Sequence, residues 1–385
     1  MAAEKFESAE KIFARLIEDD PSHPRMAQTR AQWAIALARQ DRYTDAIQAI
    51  ERAEQSHYGE LDDVLRSALR YEKAWCLRAL GRTEQAAESY RTLLDDDAGG
   101  SVNVHAILEL AELEAEAEHC DRAADLLRRL RTIAASRPKD VPRRVREQAT
   151  YRLAVCEFQM KEHAQAADLF DEFLKEFPDS ALTASAGLFC GEALFKTGKY
   201  ERAARRLTRV VEEFSSDPVY GSSLLRLGEV QAILQRWALS ERVSAEYLAR
   251  FADGEHWYQA QFGVGWAREN QERYDDAIRA YHKVVARHIG PTAARAQFQI
   301  GECLFAKKQY DHAVRELLKV DVLYDYPEWS AAALYEAGRC FQKLGKDVEA
   351  RDHFGQVADK YGKTRWAELA SKQLQELATA ALPGR

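Results

Sequence analysis

One recurring station constrains this chain more than any other feature of its sequence. Ala9, Ala46, Ala86, Ala123, Ala166, Ala203, Ser240, Ala277, Ala313 and Ala350 follow one another at intervals of 37, 40, 37, 43, 37, 37, 37, 36 and 37 residues. So steady a period marks an internal repeat, and repeats of this length stack as units of a solenoid instead of sharing one globular core. Two further registers run in phase with it. Twelve residues before the station stand Ala34, Ala74, Ala111, Ala154, Gly191, Gly228, Gly265, Gly301 and Gly338, all small. Four residues after it stand Phe13, Ile50, Tyr90, Leu127, Phe170, Leu207, Tyr281, Leu317 and Phe354, with Ser244 the one polar exception.

These registers describe a helical hairpin. The stretch "FKTGKYERAARRLTRVVEEF" from Phe195 reads as the end of one helix, a tight turn at Gly198, and a second amphipathic helix carrying Leu207, Val210 and Val211. Two helices approach closely only where small residues meet, and the large residues one turn away fill the flanking grooves. A lone hairpin cannot bury its apolar face, so stacking supplies the core. With 9 prolines and 19 glycines in 385 residues there is little turn chemistry for a β-rich fold. The expected class is therefore all-α: a solenoid of antiparallel helix pairs, about nine full repeats and a half repeat, forming a curved superhelix.

A small residue in the first helix, an aromatic such as Tyr43, Tyr200, Tyr274 or Tyr310 opening the second, then Ala and a large apolar residue four later, resembles the tetratricopeptide repeat. The resemblance covers essentially the whole chain, with a period near 37 residues in place of the usual ~34. Units such as "FPDSALTASAGLFCGEALFKTGKYERAARRLTRVVEEF" are similar to a long-repeat bacterial subgroup found in the Tol-Pal coordinating protein and the outer-membrane β-barrel assembly lipoprotein, most clearly after residue 145. The first three repeats depart from it, with Lys73 and Glu114 where apolar residues are expected.

What the resemblance implies is a non-catalytic scaffold whose first helices line an inner, concave wall and hold a protein or peptide partner. Carried onto this sequence, that wall takes the slots three before, one after and four after each small residue. The first slot marks Tyr71, Tyr151, Phe262, Phe298 and Tyr335. The second marks Trp75, Glu112, Glu192, Trp266, Glu302 and Arg339, and the third Phe158, Phe195 and Phe305. Aromatics mixed with glutamates suit an extended or helical segment bearing apolar anchors and basic residues. They do not make the lysine- and asparagine-rich clamp that some relatives use for a terminal carboxylate. Against this stands the plainer reading, that each ring packs on the neighbouring repeat.

Two irregular intervals and the repeat phase divide the chain. Residues 1-136 are expected to form N-terminal repeats that begin half a repeat in, since the first-helix partner of Ala9 would precede Met1. That start reads as a cut from a longer protein or as an end that docks. An insertion at 137-144, bracketed by Pro138 and Pro142, is the hinge candidate. Repeats continue over 145-363, and 364-385 supply a capping helix and tail, with Trp366, Leu369, Ala370, Gln373, Leu374 and Leu377 on one face.

Charge and cysteine usage narrow the partners. With 55 basic and 62 acidic residues the net charge is −7, which disfavours nucleic acid. From Asp95 to Asp121 there are nine acidic residues and no Lys or Arg; from Arg122 to Arg146 there are nine basic and two acidic. Solvated helix faces account for such runs. The sharper reading is a basic patch of Arg128, Arg129, Arg131, Arg143, Arg144 and Arg146 for acidic or phosphorylated partners, without interleaved aromatics for stacking on bases. No apolar run reaches the length of a transmembrane helix. The opening residues, with Glu4, Lys5 and Glu7, are unlike a secretion signal. Six cysteines without CxxC or Cys/His metal spacing fit a reducing cytoplasm, whereas a truncated N-terminus would leave an envelope location open. Cys76, Cys156, Cys303 and Cys340 share one slot ten residues before the station and read as buried fillers.

Catalytic chemistry finds no foothold in the sequence. "FGVGWAR" at Phe262 lacks the third glycine of a dinucleotide loop, and His282 and His288 fall on different helix faces. The expectation is no enzyme, no metal and no cofactor. A partner-binding scaffold leads; self-association through the N-terminal face and a regulatory adaptor using the arginine patch follow.

Overall fold

The computed structural model describes residues 2–95 and 102–380, and the side chains of these except 2–5, 56–58, 102–103 and 380. Asp96 and Asp97 of the acidic run and the tail 381–385 lie outside the described residues. Among the described residues there are twenty α-helices, one 3-10 turn at Tyr58–Glu60, and no strand. The first helix, α1, is Ala2–Asp19. Helix pairs then follow as Met26–Ala38 and Tyr43–His57 (α2, α3), Asp63–Ala79 and Thr83–Asp95 (α4, α5), Val102–Glu116 and Cys120–Ser136 (α6, α7), Arg143–Gln159 and His163–Glu176 (α8, α9), and Thr183–Lys196 and Tyr200–Glu213 (α10, α11). The series continues with Tyr220–Ile233 and Trp237–Arg250 (α12, α13), Trp257–Glu269 and Tyr274–Arg287 (α14, α15), Pro291–Ala306 and Tyr310–Leu323 (α16, α17), and Pro327–Lys343 and Asp347–Lys360 (α18, α19). Arg365–Ala380, α20, closes the series.

Each hairpin turns on a left-handed residue five positions before its station. These residues are Asp41, Gly81, Glu118, Lys161, Gly198, Gln235, Glu272, Lys308 and Gly345, with φ between 56° and 73°. A left-handed residue ends an α-helix by letting the following N–H return to a carbonyl of the last turn. The Lys199 N–H donates to the Leu194 carbonyl and the Gln309 N–H to that of Leu304, both at 2.9 Å. Only three of these turns use glycine, the residue that adopts this conformation without a Cβ clash.

The three sequence registers meet in the packing of each pair. The stations from Ala46 to Ala350 are fully buried. The large residue four after the station lies directly over the small residue of the first helix. A Cβ at Gly265 would stand 2.6 Å from Tyr281, one at Gly301 2.5 Å from Leu317, and one at Gly338 2.6 Å from Phe354. Ser244, the polar exception, is matched by glycine on two sides: a Cβ at Gly228 would stand 2.9 Å from its Oγ and one at Gly263 2.8 Å. There the helices close in where a large side chain would have held them apart, and the Ser240 hydroxyl donates to the Gly228 carbonyl at 2.9 Å. Cys76, Cys156, Cys303 and Cys340 are buried free thiols.

The chain forms two compact units, Met1–Ala193 and Leu194–Arg385, that divide within α10. The insertion at 137-144 lies inside the first unit. It is pinned there by buried Val141 and by an Asp140 N–H that donates to the Arg137 carbonyl at 3.0 Å. In the first unit the two polar departures are ion-paired. Lys73 Nζ reaches Glu54 at 2.7 Å, and the buried Glu114 accepts from Arg91 at 2.6 Å and faces His119 at 3.0 Å. In the second unit α20 covers the last pair with Ala370 and Leu377, which are buried, and Trp366. Leu369 departs from the expected face: it is exposed, while the apolar stripe runs through Ala367 and Ala370, two residues before it and one after it and so around another side of the helix.

Candidate functional site

In the second unit the first helices place their expected wall residues as a layered set. Phe262 and Phe298 are buried, and Tyr335 is half-buried. Phe262 tilts onto Tyr281 at 5.3 Å between ring centroids, and Tyr335 lies between Phe354 and Trp366 at 5.5 Å from each. This slot is the floor of the wall instead of its exposed strip, because the ring three before the small residue drops toward the large residue of its own hairpin. Above it Trp266, Phe195 and Phe305 are half-buried. Trp266 stacks on Phe262, and Phe195 and Phe305 meet Tyr200 and Tyr310 edge-on at 5.7 and 5.3 Å.

An arginine from the following first helix covers each of these rings. Arg226 sits 4.3 Å from the Phe195 centroid and Arg339 4.9 Å from that of Phe305. Arg295 stands 4.5 Å from Phe262, 5.3 Å from Trp266 and 6.0 Å from Trp329. A guanidinium over an aromatic face is attracted by the ring quadrupole, by about 0.5–1 kcal/mol where exposed and more where desolvated. Burial lowers the pKa of Arg295 from its ordinary value. It makes no hydrogen bond or ion pair with any described residue.

Carboxylates of the same helices differ in how well they are satisfied. Glu269 accepts from the Tyr281 hydroxyl at 2.6 Å and from the Gln299 amide at 3.1 Å. Glu336 accepts from Arg339 Nη1 with both oxygens, at 2.9 and 2.7 Å. Glu302, half-buried on α16, has a buried Oε1 that no donor meets. Burial first, then the nearby Glu336, raises its pKa, and burial likewise raises that of Glu336 against the pull of Arg339.

The first unit builds its wall from ions. Arg78 on α4 is held by Glu109, by Glu112 at 3.0 Å and by Glu116 at 3.1 Å on α6, and Glu112 also takes Arg152 of α8 at 2.7 Å. Among the expected wall residues here, Glu112 is therefore buried and consumed by pairing. Tyr71 meets Tyr90 edge-on at 5.8 Å, and burial pushes its hydroxyl up to about 12. Tyr151 packs on Phe170 and Phe173, and Phe158 on His163 and Phe189. Trp75 stands 38% exposed, and Glu192 is half-buried.

Half of the arginine patch, Arg128, Arg131 and Arg146, is ion-paired. Arg128 pairs with Glu157 at 2.5 Å and Asp125 at 2.7 Å, Arg131 with Glu172 at 2.6 Å, and Arg146 with Glu176 at 3.1 Å. Arg143 lies 5.7 Å from the Phe177 ring. Arg129 and Arg144 are exposed. Among the described residues no group of three or more His, Cys, Asp or Glu could hold a metal ion, and no helix is long and apolar enough to cross a membrane.

Arg226, Arg295, Trp329 and Glu336 were not reached by the sequence registers. The three slots followed there span the helix face only near the small residue, and Arg295 and Trp329 lie one to two turns further up. The legible signal was the spacing of Arg295 and Glu302, seven residues apart and so on one helix face.

Comparison with known proteins agrees with the geometry. Two family models, both described as tetratricopeptide repeat, match residues 1–57, 31–101, 71–139, 191–255 and 264–326, and residues 148–180 and 332–364. No curated protein matches the sequence. Among solved structures the apo form of RapI is 12% identical, with a TM-score of 0.50 over 91% of this chain and 99% of that one. A tetratricopeptide repeat protein from Parabacteroides merdae is 13% identical, with a TM-score of 0.47 over 71% of this chain and 98% of that one. MamA from Desulfovibrio magneticus RS-1 is 18% identical, with a TM-score of 0.41 over 46% of this chain and 94% of that one. At such identities the likeness is one of fold. With its helix pairs, their shared register and the two family-model matches over most of its length, the chain belongs to the tetratricopeptide repeat family.

Proposed function

We propose that the chain is a non-catalytic scaffold that captures a protein segment along the walls formed by its first helices. The observation that carries this reading is the row of guanidiniums over Phe195, Phe262, Trp266 and Phe305 in the second unit. Arginine and aromatic side chains are the types that dominate binding energy at protein interfaces. Here Arg226, Arg295 and Arg339, at different positions on α12, α16 and α18, each reach back to a ring of the preceding first helix. The period near 37 residues supports a place in the long-repeat bacterial subgroup.

Affinity capture from the native host tests the proposal, comparing the wild type with a Phe158→Arg, Phe305→Arg double variant whose helicity and melting are verified by circular dichroism. Partners retained by the wild type and lost by the folded variant support the wall as the recognition surface. Partners that bind both equally place recognition on another face.

A further inference from the structure

Helix α16 carries two unmet and opposite hydrogen-bonding groups on one face. Arg295 offers guanidinium donors that no described residue accepts, steadied between the rings of Phe262, Trp266 and Trp329. Glu302 offers an acceptor, Oε1, that no described donor meets. Charges on neighbouring helices do not close either gap: Arg339 is taken by Glu336 and Glu269 by Tyr281 and Gln299. An unmet polar group costs stability, and an outside partner that reached Arg295 and the accessible part of the half-buried Glu302 carboxyl would recover part of that cost.

Seven residues separate Arg295 from Glu302. On a helix rising 1.5 Å per residue that is about 10 Å along the axis, with a rotation of only about 20°. An extended chain spans the same distance over about three residues, at roughly 3.3 Å each. A helix spans it over about seven. Phe298 lies buried beneath the interval, and half-buried Phe305 stands about one turn beyond Glu302.

We propose that this face of α16 recognises a partner segment bearing an acidic side chain for Arg295 and a lysine or arginine for Glu302, about 10 Å apart, in that order along the wall. Planar guanidinium and carboxylate pair with directed, charge-assisted hydrogen bonds, an incoming cation holding Glu302 ionised against its burial, so the site reads both the signs and their spacing. The inference rests on the wall being the recognition surface.

A phage-displayed library of 12-residue peptides selected on the full chain tests it. Enriched peptides are then measured by titration against the wild type, Arg295→Gln, Glu302→Gln, the charge-swapped Arg295→Glu, Glu302→Arg double variant, and Phe305→Arg. The expected peptides carry acid and base at positions i and i+3, or i and i+7 if helical, and lose at least tenfold in affinity with either single Gln variant. The double variant should prefer the reversed order of charges, which a merely structural role for Arg295 would not produce. Peptides weakened by Phe305→Arg but indifferent to Arg295→Gln and Glu302→Gln overturn this inference and leave the wall reading standing. Peptides indifferent to all of these variants, or no enrichment at all, contradict both.

Discussion

Phe354 lies so close over Gly338 that a methyl group at position 338 would stand 2.6 Å from its Cε1. The ring is fully buried among Ala350, Val357 and Ala370, so it has no open direction in which to swing. Gly338→Ala should therefore lower stability by about 1–3 kcal/mol, the usual cost of inserting atoms into a packed core. A shift of the urea midpoint to lower concentration reads the effect. An unchanged midpoint would mean that α18 and α19 part without penalty, against the close-approach account of the repeat.

The left-handed turns invite the opposite change. Gln235, Glu272 and Lys308 hold φ of 56° to 60° with side chains that disfavour it. Replacing each by glycine should raise stability by about 0.5–1 kcal/mol, and well-separated turns should add nearly independently. Gly198→Ala should cost about 1 kcal/mol. Thermal melts of the single and triple variants check this. A triple variant less stable than the wild type would show that glycine's greater chain entropy outweighs the relief of strain.

Arg78 is the hub of the first unit's ionic wall, touching Glu109, Glu112 and Glu116. Arg78→Met would retain much of its volume but leave buried carboxylates short of their cation. The expected loss is about 3 kcal/mol at neutral pH. It should shrink as pH falls, because burial already raises the pKa of Glu109 and loss of Arg78 removes the cation that opposes that rise. Denaturation midpoints at pH 7 and pH 4.5 test both halves. An equal loss at the two values would assign the effect to packing of the arginine stem.

Glu302 yields a pH signature of known sign. Burial, then Glu336, pushes its carboxyl from 4.5 up to about 8, with Glu269 adding to the rise and Arg339 opposing it. The folded state thus favours the protonated form. Its contribution is fully present below pH 4.5 and is lost as pH rises through about 8. Glu302→Gln should match the wild type near pH 4.5 and exceed it at pH 8.5 by on the order of 2 kcal/mol, allowing for relaxation and water. If the two proteins keep the same difference in midpoint across this range, the carboxyl titrates normally and the burial account of Glu302 fails.

The legible part of this protein was its period. Close approach at Gly265, Gly301 and Gly338 and the large residues opposite them are local pair constraints that recur in every unit, so they leave a visible register. The turns were half legible, since Gly198 announces a left-handed residue while Lys161 and Lys308 do not. The wall was legible in its helices and less so in its roles. Whether Phe298 is surface or floor depends on Trp329 of the following first helix, and whether Glu112 is available depends on Arg78 and Arg152 of two others. Such pairings lie between repeats, at separations that no single unit encodes. The division within α10 is likewise a property of packing, with no mark in composition at Ala193.

Site-specific photo-crosslinking in the native host tests the central claim most directly. A benzophenone amino acid is placed singly at Trp266 and Phe305 on the wall, and at Val322 and Val348, which are 78% and 76% exposed away from the rings of the wall. The account predicts a common crosslinked partner from positions 266 and 305 and none of that partner from 322 or 348. Crosslinks to that partner from 322 or 348 but not from the wall would contradict it.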